Sequence, residues 1–171
     1  MKRIIAKALA VVLLTSVVIG TTGCTSKAKK EWYKEALEYY RDGIKNGFKE
    51  ELNKLNVPEE LKDGKHRIGY LLRDLDGDKV DELLIGIIDD DINTKFTNVV
   101  VRHGDLGPYC LISGTNGYYT YLCSDNVLMH ESWYGSQTEK RFMRWNPKGN
   151  SFTIIEGEGK YLPMKWELTE F

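Results

Sequence analysis

Short β-rich runs separated by turn residues fill the chain after His66, and they constrain the fold more than any other feature. Within the runs, apolar and polar residues tend to alternate, which is the period of a strand with one buried face. The connections are too short for the crossover that joins parallel neighbours, so successive strands must pair antiparallel. The predicted strands are residues 67–73, 82–88, 96–102, 109–115, 118–124, 127–134, 139–146, 151–156 and 161–169. We therefore expect an antiparallel β-meander over residues 65–171.

The preceding segment, residues 31–64, has a helical pattern. Gly43 and Asn46-Gly47 interrupt its apolar stripe and predict a break or kink near residues 43–47. The stripe, whose members recur at steps of three or four, comprises Tyr33, Leu37, Tyr40, Ile44, Phe48, Leu52 and Leu55.

Pro58 suits the first turn of another short helix, which we expect to end near Asp63-Gly64. The predicted fold class is α+β, with the helical segment packed on a predominantly antiparallel β-meander. Residues 31–171 would form one globular domain. The pattern is compatible with either an open or a closed sheet.

The first residues have the order of an export signal. Met1-Lys2-Arg3 is basic, Lys7 follows, and residues 8–19 form an apolar run that ends before Gly20. A run of this length is shorter than the ~20 residues that a membrane-spanning helix needs.

Thr22-Gly23-Cys24 resembles the end of a bacterial lipobox. The resemblance implies that residues 1–23 are a lipoprotein signal peptide and that Cys24 carries the lipid. Residues 24–30 would then tether the body to the extracytoplasmic face of the cell membrane. Two alternatives remain open, namely an ordinary signal peptide with Cys24 a chance residue, and an uncleaved anchor.

Removal of residues 1–23 would remove Lys2, Arg3 and Lys7, and would take the net charge from −1 to −4. A mildly acidic domain without a basic run argues against a nucleic-acid partner. The expected partner is the membrane, through the N-terminal lipid, whereas a protein or carbohydrate partner remains unidentified.

An acidic loop between two predicted strands is the one motif that resembles a site. Asp74, Asp76, Asp78 and Glu82 occupy its positions 1, 3, 5 and 9. Ca²⁺ takes six to eight hard oxygen ligands, so a tight turn that brings these carboxylates together predicts a calcium site. The alternative is an acidic hairpin turn that is held by side-chain to backbone bonds and binds no metal.

The loop is not an EF-hand, because Lys79 and Ile85 stand where that motif needs Gly and Glu. It resembles the calcium loop of FG-GAP and integrin-α-type repeats. The stretch from Tyr70 to Leu83 also resembles a segment of uncharacterised bacterial lipid-anchored surface proteins. The resemblance implies a structural Ca²⁺ ion and supplies no known activity.

Asn116-Gly117 predicts a two-residue hairpin loop, because both residues tolerate a positive φ. Such a loop would place Cys110 directly opposite Cys123, with Cα atoms ~4.5 Å apart. This spacing lies at the short end of the disulfide range. The pair is therefore either a disulfide or two reduced cysteines that pack as small apolar residues.

Motifs of enzymes are weak throughout the sequence. His130-Glu131 begins like a zinc-protease motif, but Tyr134 stands where its second histidine belongs. We therefore expect a noncatalytic binding or envelope-associated module. The rival hypothesis is a cell-wall or carbohydrate-acting hydrolase that uses carboxylates of residues 74–82 or 89–91 as acid and base. A third is an inhibitor or chaperone that uses an exposed strand edge.

Tyrosine and tryptophan are frequent late in the chain. Alternation places Tyr119 and Tyr121 on one sheet face and Tyr118 on the other. These rings either fill the core or form an exposed platform that stacks on sugars or contacts a partner.

Overall fold

The structure, a computed structural model, describes residues 33–49, 55–102, 107–114, 118–146, 148 and 151–171. The signal peptide, the lipidated Cys24 and the tether that the sequence predicts lie outside these residues. Within these ranges two α-helices precede the strands, α1 (Lys34–Asn46) and α2 (Glu59–Lys62). The strands are β1 (Arg67–Arg73), β2 (Glu82–Ile88), β3 (Phe96–Arg102), β4 (Pro108–Ser113), β5 (Tyr118–Leu122), β6 (Leu128–Tyr134), β7 (Gln137–Asn146), β8 (Ser151–Ile155) and β9 (Thr169–Glu170).

The described chain is mainly antiparallel β-sheet with a small helical part. The strands follow the order β8-β7-β6-β5-β3-β2-β1-β9, and β4 also pairs with β3. Every recorded pair is antiparallel, as the short connections predict. The predicted bounds of β1, β2 and β3 are confirmed. Turn residues flank each of these apolar runs on both sides and therefore define where the strand begins and ends.

The predicted strand over residues 161–169 is wrong. Only β9 is a strand there, and it pairs with β1. The residues before β9 contact the sheet at separate points instead. Pro163 forms an isolated bridge with Cys123, and the backbone N–H of Trp166 donates to Thr94 Oγ1. Trp166 Nε1 also donates to the carbonyl of Leu122 at 2.9 Å.

The predicted pairing of β4 with β5 is also wrong. β2 occupies one edge of β3, so β4 and β5 must share the other edge, since a strand has two. β4 pairs with residues 98–102 of β3, and β5 meets β3 at Phe96. The Asn116-Gly117 loop lies outside the described residues.

The two cysteines therefore lie apart in the packing. Cys110 belongs to the cluster beneath α1, whereas Cys123 packs with Tyr121 and Phe142 in another cluster. Both are buried free thiols, so the predicted Cys110–Cys123 disulfide is not formed in this structure. The physical reason is that β4 and β5 pair with β3 rather than with each other.

Helix α1 packs its buried side, which includes Ala36, Leu37 and Tyr40, against β1, β2 and β3. It runs through Gly43 and ends at Asn46, where Gly47 has φ 84°. A Cβ atom at Gly43 would lie 2.2 Å from a ring carbon of Phe48, so glycine is required for this close approach. Within the described part of the chain, neither helix has the length and apolar character needed to span a membrane.

A second buried cluster joins the sheet to the C-terminal segment. It includes Leu84, Phe96, Leu122 and Leu128, and Trp166 and Leu168 pack against it. This segment therefore covers part of the sheet face, and it also brings Trp166 close to the end of β1, where the Arg73 guanidinium lies 5.3 Å from the centroid of the indole ring.

Candidate metal site

The acidic loop joins the end of β1 to the start of β2, whose terminal residues Arg73 and Glu82 are paired. Asp74 organises the loop by accepting from two backbone amides, that of Gly77 at 2.7 Å and that of Lys79 at 2.9 Å. Lys79 adopts φ 71°, in the left-handed region that glycine favours. The chain therefore doubles back tightly over residues 74–81.

Two further carboxylates accept from the loop backbone. Asp76 Oδ1 accepts from the N–H of Asp78 at 2.9 Å, and Asp78 Oδ1 accepts from the N–H of Val80 at 2.6 Å. These are the side-chain to backbone bonds of an Asx turn. They shape the loop in this structure.

Three of the four predicted ligands converge. Asp74, Asp76 and Asp78 each present a carboxylate oxygen, and these oxygens lie within 4.8 Å of one another. Asp76 Oδ2 is buried and accepts no hydrogen bond. Burial and the neighbouring Asp78 and Asp74 charges raise the pKa of Asp76, although the bond from the Asp78 amide opposes them. The arrangement could hold a metal ion, because a cation would satisfy the orphaned oxygen and offset the repulsion.

Glu82 is the exception among the predicted ligands. Its side chain is directed into the protein, where the residue is 4% exposed, and Oε2 accepts from the backbone N–H of Leu75 at 2.8 Å. Burial, followed by the charges of the three aspartates, raises the pKa of Glu82 to about 8. The carboxyl of Glu82 lies outside the group of three and supports the loop from below.

Asn126, which sequence reasoning missed, holds the loop from another turn. Its Nδ2 donates to the carbonyl oxygen of Asp74, and its Oδ1 accepts from Arg73 Nε at 2.9 Å. The only signal in the sequence was Asp125-Asn126 as turn residues, and both have φ 55°. A residue more than fifty positions away therefore belongs to the surroundings of the loop.

The second acidic turn, Asp89-Asp90-Asp91, does not join this group. Lys95 forms ion pairs with Asp91 and Asp89, and Lys165 lies 3.4 Å from Asp89 Oδ1. Nearby lysines thus offset the charge of this turn, which fits a solvated turn better than a ligand set.

A cavity of about 530 Å³ lies along the outer strands β7 and β8. Its lining includes Arg141, Ile154 and Glu156, but none of residues 74–82 or 89–91. This cavity therefore lies away from both acidic loops.

Comparisons with protein-family models, with curated proteins and with solved structures found no match for this chain.

Proposed function

We propose that the protein is a lipid-anchored, extracytoplasmic and noncatalytic binding module, and that its β1–β2 loop binds one structural Ca²⁺ ion. The observation that carries the calcium site is the convergence of one carboxylate oxygen from each of Asp74, Asp76 and Asp78, together with the buried and unpartnered Asp76 Oδ2. The order of charged, apolar and small residues before Cys24 supports the location.

The donor set favours calcium over magnesium. Carboxylate oxygens suit both ions, but Mg²⁺ demands near-ideal octahedral geometry, whereas Ca²⁺ accepts irregular sets of six to eight oxygens. A loop whose carboxylates already accept from backbone amides has little freedom to adjust. Water and a backbone carbonyl such as that of Val80 would complete the ligand set.

The role of the ion is structural in this proposal. The loop connects two neighbouring strands of the sheet, so a cation would hold their ends together and offset the repulsion among the aspartates. Glu82 has the raised pKa of a general acid, but its burial beneath the loop keeps substrate away from it. Support for the hydrolase hypothesis is therefore weak.

Titration calorimetry of the full-length protein tests the calcium site. We expect heat on addition of CaCl₂, weaker binding of MgCl₂, and loss of the calcium heat in Asp76→Asn. Asp90→Asn is the matched control, because it removes a carboxylate from the other acidic turn. Absence of heat in the unsubstituted protein, or equal heats in the two variants, would refute the site.

Labelling with a radioactive fatty acid tests the anchor separately. We expect the label in the native product and its loss in Cys24→Ser. An unlabelled product that retains residues 1–23 would contradict the proposed location.

A further inference from the structure

Three neighbouring strands place a set of polar and aromatic side chains on one sheet face. Residues that lie directly opposite in antiparallel strands project to the same side. One row is formed by Thr120, His130 and Arg141, the next by Tyr118, Ser132 and Glu139, and the last by Tyr134 and Gln137. We call this set the β5–β7 grid.

Among the aromatic members of the grid, Tyr134 is exposed, and Tyr118 and His130 are half-buried beside it. Tyr134 is 58% exposed, and its ring meets that of Tyr118 edge-on with centroids 6.1 Å apart. His130 stacks on Tyr118 with an interplanar angle of 18°, and its Nδ1 lies 3.2 Å from Thr120 Oγ1. The ring of Tyr118 therefore contacts the rings of both His130 and Tyr134.

The two charged side chains of the grid, Arg141 and Glu139, form an ion pair. Arg141 donates to both carboxylate oxygens of Glu139, at 2.8 and 3.2 Å, and both side chains remain about half exposed. Burial and the neighbouring Arg141 lower the pKa of His130, so the imidazole is uncharged at neutral pH. The grid thus offers several hydrogen-bonding groups and no net charge.

The β5–β7 grid adjoins the part of the same sheet face that the C-terminal segment covers. On the same face, Leu122 and Leu128 are fully buried in the cluster that Trp166 packs against. In the next rows His130 and Tyr118 are half-buried, and Tyr134 in the last row is exposed. The aromatic surface is therefore the open continuation of a rigid, packed face.

We propose that the β5–β7 grid binds a neutral saccharide. The C–H groups on the flat face of a pyranose ring carry partial positive charge and suit the negative face of the exposed Tyr134 ring. The sugar hydroxyls both donate and accept, which matches the paired Arg141 and Glu139 at the border of the rings. The inference rests on the proposed binding role and names its ligand class.

Other ligand classes fit the grid less well. A phosphate, sulfate or uronate would need an unpaired cation, whereas Arg141 is neutralised by Glu139. A stable protein partner typically covers ~800 Å² on each side, which is far more than a few side chains at one end of a sheet face.

Chemical-shift titrations of the ¹⁵N-labelled full-length protein with chitotetraose and with cellotetraose test the inference. We expect at least one of these probes to shift the amides of β5, β6 and β7. Tyr134→Ala should weaken this binding about tenfold, whereas Tyr134→Phe, which keeps the ring, should retain most of it. Tyr109→Ala is the matched control, because it removes an exposed tyrosine from β4.

The inference is overturned if neither probe shifts these strands at millimolar concentration, or if Tyr134→Ala and Tyr109→Ala bind alike. Both titrations are run with CaCl₂ and with EDTA. If calorimetry shows the calcium site but neither saccharide binds, only the present inference is refuted. If a saccharide binds but calorimetry shows no calcium heat, only the metal site is refuted.

Discussion

The side-chain amide of Asn126 donates a hydrogen bond to the backbone carbonyl of Asp74, with 2.7 Å between nitrogen and oxygen. The first residue of the acidic loop is thereby attached to the turn between β5 and β6. Asn126 has a positive φ, which asparagine tolerates better than most residues. Asparagine at this position thus adopts the positive φ of the turn and also donates the hydrogen bond to the acidic loop.

Replacement of Asn126 should destabilise the protein. Asn126→Gly keeps the positive φ and removes the bonds to Asp74 and Arg73, so we expect a loss of roughly 1–2 kcal/mol in the free energy of unfolding. Urea denaturation measures this loss. Asn126→Asp retains an acceptor for Arg73, so its free energy of unfolding should lie between those of the parent and of Asn126→Gly. A glycine variant as stable as the parent would contradict the role of these bonds.

The stability of the metal-free protein should depend on Glu82. Its pKa rises from 4.5 to about 8 on folding, so the folded state binds more protons than the unfolded chain between these values. The free energy of unfolding should therefore fall as the pH rises through this window, by a few kcal/mol in total.

Urea midpoints across this pH range, measured with a chelator present, test the Glu82 prediction. Glu82→Gln cannot ionise and should flatten the profile. The raised pKa of Asp76 would leave a smaller slope of the same sign. An unchanged profile in Glu82→Gln would show that the folded protein does not raise the pKa of this carboxyl.

Two substitutions at Lys79 separate backbone strain from charge. Lys79 has φ 71°, so Lys79→Gly removes both the left-handed strain and the positive charge, whereas Lys79→Ala removes only the charge. We expect the glycine variant to be about 1 kcal/mol more stable than the alanine variant. If the loop binds calcium, calorimetry should show tighter binding in both than in the parent, and equal stabilities of the two variants would contradict the strained backbone.

The two buried thiols should react only after unfolding. Cys110 is 7% exposed and Cys123 is 1% exposed, and burial raises the pKa of each. Iodoacetamide should therefore modify neither cysteine in the native protein and both in urea without a reductant. Mass spectrometry of the alkylated peptides checks this outcome, and a peptide pair joined through Cys110 and Cys123 would restore the disulfide.

Local sequence signals predicted the parts of the fold that depend on local structure. The end of α1 follows from Asn46-Gly47, and the bounds of β1 to β3 follow from turn residues on both sides. The partner of β4 was not predictable in this way. Asn116-Gly117 favours a hairpin, but the free edge of β3 accepts both following strands, and such a choice depends on contacts distant in sequence.

The candidate metal site was likewise predictable where it depends on local sequence, and not where it depends on contacts distant in the chain. Alternate aspartates in a tight loop predicted three converging carboxylates, because spacing alone determines that a turn brings them together. Spacing does not determine which way the first side chain of β2 points, and Glu82, the fourth predicted ligand, is buried and accepts from the backbone N–H of Leu75. Asn126 was invisible because its contact joins two turns far apart in the chain.

The position of Trp166 gives the acidic loop a built-in optical reporter. Its indole lies against the Arg73 guanidinium, immediately before Asp74, while its ring nitrogen is held by Leu122. Any cation that rearranges the loop must alter the electric field at this indole. The intrinsic fluorescence of the protein should then register occupancy of the loop without an added dye, and replacement of Trp166 by phenylalanine should abolish that signal.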